Sequence, residues 1–218
     1  MSLINKESRF KQVEDISVSK YNMILGGLTL YGLVMNMVLC ACAGEFFAGM
    51  NPGVLLIGYV VCCLAGILMS AFSRNPIVSF VGYNLVVIPI GALLSICIPM
   101  YDSGLIMSAI GATAIVTLAM IALSLSFPQF FDRLGGVLFA SLLVACLTEI
   151  IFMLFGWGGD IFNWIFVVIF SLYIGYDWNK AQKYPKTLDN AVDCALDLYL
   201  DIINLFLRLL RILSRSRD

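Results

Sequence analysis

Four carboxylates stand in apolar sequence where water is not the expected neighbour: Glu149, Asp177, Asp197 and Asp201. A charged group at membrane depth is expensive, and by default it marks an ion pathway or a proton relay. Asp201 lies between Leu200 and Ile202 with no basic residue within one turn. It stands roughly 15 Å past the expected membrane entry near Ala191, at about 1.5 Å per residue. A buried carboxylate needs a partner or a proton. Asp177 and Arg74 both sit at the same-side ends of their helices, so Asp177, Asp201 and Arg74 can meet there. Two carboxyl groups in contact cannot both ionise cheaply, so such a pair is expected to share one proton.

Plainer readings apply to each group. Asp177, beside Trp178 and Lys180, also reads as a solvated interfacial residue. Asp189 and Asp193 read as first-turn residues favoured by the helix dipole, with no further role. Asp197 reads as a helix-surface contact, or as a second pore-lining carboxylate together with Glu149. Glu149, flanked by Ile150 and Ile151, has no partner evident in the sequence. It is either protonated or bonded to a hydroxyl such as that of Thr148.

The elements that must position these groups are apolar runs: Tyr21 to Phe47, Gly53 to Phe72, Ile77 to Met100, Leu105 to Leu125, Val137 to Phe155 and Ile161 to Tyr176. Each is long enough, or nearly so, for a hydrocarbon core that takes about 20 helical residues. Turn-forming stretches separate them, among them Asn51-Pro52-Gly53, Arg74-Asn75-Pro76, Asp102-Ser103-Gly104 and Gly156-Trp157-Gly158-Gly159. Pro89, inside the third run, predicts a kink. A seventh segment, Leu188 to Leu213, has helical period but carries Asp189, Asp193, Asp197 and Asp201 at four-residue intervals, which aligns them along one side. Whether this segment crosses fully or turns back is open at the level of sequence, and with it the side on which Arg208, Arg211, Arg215 and Arg217 lie.

Composition agrees with a membrane solvent. Of 218 residues, 61% are apolar and 12% charged, far from the balance of a soluble domain. The expected organisation is a solvated tail over residues 1–20, a helical membrane domain over 21–213 and a short basic tail over 214–218. Lys and Arg alternate between loops, which predicts a cytoplasmic N-terminus in the cell's inner (plasma) membrane. The net charge of −1 offers nothing to nucleic acid. The seven cysteines lack the spacing of a disulfide framework or zinc site and read as packing residues. There is no histidine, so the usual hydrolytic base is missing and pH sensing near neutrality falls to carboxylates. No nucleotide loop, triad or cofactor site is present, and the chain reads as a non-enzyme. An aspartyl-type membrane peptidase and a proton-coupled transporter rank below that.

Two segments, Phe170-Ser171-Leu172-Tyr173-Ile174-Gly175-Tyr176-Asp177 and Ala195-Leu196-Asp197-Leu198-Tyr199-Leu200-Asp201-Ile202-Ile203-Asn204-Leu205-Phe206, resemble the signatures of the Bax-inhibitor family, in its bacterial form. The resemblance implies an all-α bundle of seven transmembrane helices with the last helix central between two three-helix layers. It also implies a pH-sensitive calcium leak, with Asp177 and Asp201 as the paired aspartates that sense protons and bind calcium, and Arg74 as the basic latch. Calcium is then the permeant or bound ion, and no cofactor is implied. Its partners would be the bilayer, calcium ions, protons and, in an alternative role as a non-conducting regulator, a membrane protease. One departure stands out: relatives can carry an acidic pore residue in the second helix, where this chain has apolar residues and Cys63.

Overall fold

The computed structural model describes residues 15–155 and 161–215. Most of the N-terminal tail, the glycine turn at 156–159 and Arg217 lie outside the described residues. Those residues form nine α-helices, one 3-10 turn (Ile98–Met100) and no strand: α1 (Val18–Cys42), α2 (Gly44–Ala48), α3 (Pro52–Phe72), α4 (Pro76–Cys97), α5 (Ser103–Ser126), α6 (Pro128–Asp132), α7 (Gly135–Leu154), α8 (Ile161–Lys183) and α9 (Leu188–Arg215). Six of these, α1, α3, α4, α5, α7 and α8, are long and apolar enough to cross a membrane. The seventh long helix, α9, has 28 residues and therefore spans about 42 Å, but its charges set it apart from those six.

The turns supply their own helix starts. Asn51 Oδ1 accepts from Gly53 N at 2.9 Å, and Asn75 Oδ1 accepts from Ile77 N at 3.0 Å. In both cases a proline occupies the first helical position, where its missing N–H costs nothing. Asp102 caps α5 in the same way through Gly104 N.

Two boundaries differ from the apolar runs. The first run breaks at Ala43, whose backbone leaves helical geometry (φ −118°, ψ 2°) before Gly44 opens the one-turn helix α2. At the other boundary, α8 continues beyond Tyr176 to Lys183. Hydropathy alone could not show this, because the added residues are polar. Lys180 and Lys183 suit the negative end of the helix dipole, and Pro185 follows just after.

The central position belongs to α9. It packs on α1 and α4 on one side and on α5 and α8 on the other. On one side α4 packs against both α1 and α3, and on the other α8 packs against both α5 and α7. Four helices, two from each group of three, thus surround the most polar long helix and bury its Asp189 and Asp201. The core on one side of α9 includes Tyr83, Val86, Val87, Leu196 and Tyr199; on the other it includes Phe166, Ile169, Phe170, Leu198 and Leu205.

Backbones of α3 and α4 meet at Gly66 and Gly82. A Cβ at Gly66 would lie 2.5 Å from the Gly82 carbonyl oxygen, and one at Gly82 would lie 2.6 Å from the Gly66 oxygen. Such reciprocal closeness needs small residues on both helices. Gly82→Ala is expected to lower stability by about 1–3 kcal/mol through overpacking. The check is the thermal midpoint of the purified protein in detergent, with Gly26→Ala, which faces open space, as the silent control.

Candidate functional site

α8 and α9 run side by side from the loop at 184–187, so the ends of both helices nearest that loop bring their acidic residues together. Four residues advance a helix by about 40° beyond a full turn, so the aspartate stripe winds by about 120° from Asp189 to Asp201. The four carboxylates therefore face different helices. Ser79 Oγ of α4 donates to Asp189 Oδ1 at 2.7 Å, and Ser70 Oγ of α3 donates to Asp193 Oδ1. Asp197 and Asp201 have rotated onto α8.

The Asp177 and Asp201 carboxyl groups are within hydrogen-bonding reach of each other. Both residues are buried, at 7% exposure each. Asp201 Oδ2 receives no hydrogen bond from any described N–H or O–H. Beside the pair lies Lys180, one turn beyond Asp177 on α8. Its Nζ is 2.8 Å from Asp197 Oδ2 and 3.6 Å from Asp177 Oδ1. Arg74 is exposed in the turn between α3 and α4 and forms no ion pair with a described residue. The cation next to the aspartates is thus Lys180, which lies in the polar extension of α8 beyond the apolar run that ends at Tyr176. Its spacing of three from Asp177 is the signal that pointed to it.

Glu149 has a partner that the sequence does not reveal. Arg208 of α9 approaches it with both terminal nitrogens, Nη1 to Oε1 at 2.5 Å and Nη2 to Oε2 at 2.9 Å. Arg208 Nη1 also donates to Asn163 Oδ1 at 3.3 Å, and its guanidinium lies 3.9 Å from the Phe166 ring centroid. The Thr148 hydroxyl is engaged elsewhere, donating to the Val144 carbonyl oxygen at 2.7 Å. Glu149 stands near the end of α7 and Arg208 near the end of α9, so this pair lies at the opposite end of the bundle from Asp177. Glu149 is therefore held in an ion pair and does not join the aspartate cluster.

Near the aspartates, the strap α6 closes over the end of α8. Phe131 is buried, Lys183 pairs with Asp132, and Asn179 Nδ2 donates to Asp132 Oδ1 at 2.7 Å. The Lys183 ammonium holds the Asp132 carboxyl below its ordinary range. A carboxyl whose folded pKa is lowered contributes fully above its unfolded value near about 3.9, and the contribution fades only as pH falls through the folded value. Asp132 therefore keeps its charge throughout pH 6 to 8. Asp132→Asn is expected to leave any pH response in that window unchanged, which calcium flux measured at both ends of the range would check.

Among the described residues, no group of three or more Asp, Glu, Cys or His side chains is arranged to hold a metal ion. Any cation at Asp177 and Asp201 would draw on those two carboxylates, with water or backbone oxygens completing its shell.

The profile of the family described as "Inhibitor of apoptosis-promoting Bax1" matches residues 18–218. The chain is 31% identical over 184 residues to Bax inhibitor 1 of Schizosaccharomyces pombe, covering 81% of this chain and 67% of that protein. It is 31% identical over 138 residues to Bax inhibitor 1 of Saccharomyces cerevisiae, covering 57% of this chain and 46% of that one. A Borreliella burgdorferi protein is 30% identical over 169 residues, with 73% of this chain and 72% of its own length covered. The chain thus spans from about half to about three-quarters of these relatives' lengths.

Proposed function

The chain belongs to the Bax inhibitor family of multi-pass membrane proteins, and from that premise we propose that it is a pH-sensitive calcium leak whose switch is the Asp177–Asp201 pair. What carries the reading is a pair of buried carboxyl groups within hydrogen-bonding reach, one of which, Asp201, has an oxygen with no protein donor. If both were ionised, the contact would set charge against charge with no hydrogen between the groups. A single shared proton turns the same contact into a strong hydrogen bond. Losing that proton leaves two negative charges in a confined site, which favours a hard divalent cation. Calcium and the proton therefore exclude each other, and calcium binding tightens as pH rises.

The protein acts without a cofactor and as a non-enzyme in this reading. It sits in the cell's inner membrane with its N-terminus in the cytoplasm, an orientation supported by the Lys and Arg of the tail and of the alternate loops. Ser70 and Ser79 hold Asp193 and Asp189 toward α3 and α4, turned away from α8, which ties the rotation of the helix that carries Asp201.

The test is calcium release from liposomes containing the purified protein, measured between pH 6 and 8. The reading expects release above that of empty liposomes and a rate that changes across this interval. No release at any pH, together with co-purification of a membrane protease in stoichiometric amount, would replace it with the role of a non-conducting regulator.

A further inference from the structure

Lys180 carries an inference that rests on the calcium reading and goes beyond it. Its ammonium stands between an outer and an inner carboxylate. Asp197 Oδ2, 2.8 Å away, belongs to a side chain that is 39% exposed; Asp177 Oδ1, 3.6 Å away, belongs to one that is 9% exposed. The Tyr184 ring lies 5.6 Å from the same nitrogen. Beyond Asp177 is Asp201, with its buried and unpartnered Oδ2. The acidic cluster thus contains one positive charge, shared unequally between two carboxylates, and one oxygen still in need of a partner.

We infer that Lys180 is the resident counter-cation of this site, and that its seat on Asp197 or on Asp177 sets how tightly the aspartate pair takes calcium. A lysine suits this role better than an arginine. Its charge is compact, its stem is flexible, and it makes no fixed two-pronged bond to either carboxylate. A divalent ion placed between Asp177 and Asp201 would be repelled by an ammonium still close to Asp177, because charges a few ångströms apart interact strongly in a partly buried site. Calcium entry therefore requires Lys180 to move wholly onto Asp197. Asp197 acts as a parking place for the lysine, and it holds no calcium itself. Such a seat assigns a use to the third carboxylate of the stripe. It also explains how the site keeps charge balance without Arg74, which is exposed in another turn.

Two substitutions separate this role from a merely structural tether. Lys180→Met removes the charge and keeps the length, so calcium affinity is expected to rise by about tenfold or more. Asp197→Asn removes the outer seat and leaves the ammonium on Asp177, so affinity is expected to fall by about tenfold. Lys180→Arg retains the charge and is expected to bind no more tightly than wild type. If Lys180 only tied α8 to α9, Lys180→Met and Asp197→Asn would loosen the same contact and change affinity in the same direction.

The experiment is equilibrium binding of radioactive calcium to the purified full chain in detergent at fixed pH, with folding checked by circular dichroism. Tighter binding by Lys180→Met and weaker binding by Asp197→Asn supports the inference. Should Lys180→Met not fold, weaker binding by Asp197→Asn with Lys180→Arg at or below wild type supports it. Wild-type affinity in either Lys180→Met or Asp197→Asn, or a gain shared by Lys180→Arg, overturns the inference and leaves the calcium reading standing. Absence of calcium binding in wild type and all variants overturns both.

Discussion

Asp201→Asn and Asp177→Asn are each expected to flatten the pH response of calcium flux between pH 6 and 8 to within about twofold, with the bundle still folded. Asparagine has the shape of aspartate but does not titrate. Its amide can donate to the carboxylate that remains, so the orphaned Asp201 Oδ2, or its counterpart on Asp177, gains the hydrogen bond that the shared proton supplies in wild type. Each variant thus freezes the pair in a state resembling the protonated one. On the proposed single shared proton, either substitution has the same consequence, and the double variant adds little. The measurement is flux at both ends of the pH range in liposomes of matched protein content. A wild-type pH response in either single variant would separate the switch from this pair.

The second large effect lies at the other end of the bundle and concerns stability. Arg208→Ala is expected to destabilise the protein by about 3 kcal/mol, from an uncompensated carboxylate and a lost cation–π contact. Glu149 would be left without its two-pronged partner near the end of a helix, α7, that packs chiefly on α8. Phe166 would lose the guanidinium above its ring. The pair is not fully sealed, with the Arg208 side chain 18% and the Glu149 side chain 32% exposed, which places the cost at the low end for a buried ion pair. Replacing both, as Glu149→Gln with Arg208→Gln, is expected to recover much of the loss, because two neutral amides can hydrogen-bond to each other. Thermal midpoints of Glu149→Gln, Arg208→Gln and the double variant, set against wild type, close a double-mutant cycle. A double variant as unstable as the sum of its singles would deny the coupling.

These two clusters show what a sequence can and cannot convey. The six apolar helices are legible because lipid demands about 20 apolar residues in a row, whatever they pack against. Their boundaries are less so. Hydropathy ends α8 at Tyr176, whereas dipole-compatible lysines carry it on to Lys183, and the added turn is the one that holds Lys180. The regular spacing of Asp189, Asp193, Asp197 and Asp201 is plain in the sequence, yet it suggests one face. The drift of about 40° per step sends the first two toward α3 and α4 and the last two toward α8. Asp189 and Asp193 read as idle first-turn residues, and nothing local to them points to Ser79 or Ser70, which are 110 and 123 positions away. Glu149 and Arg208 are each conspicuous in apolar surroundings. Pairing them requires knowing that the later parts of α7 and α9 come within side-chain reach of each other.

The proposed shared proton is open to direct observation. Infrared difference spectra of the purified protein at neutral pH should contain the carbonyl stretch of a protonated, hydrogen-bonded carboxylic acid. That band should disappear in both Asp177→Asn and Asp201→Asn and diminish when calcium is added. A spectrum without such a band in wild type, or a band that survives both substitutions, would contradict the account.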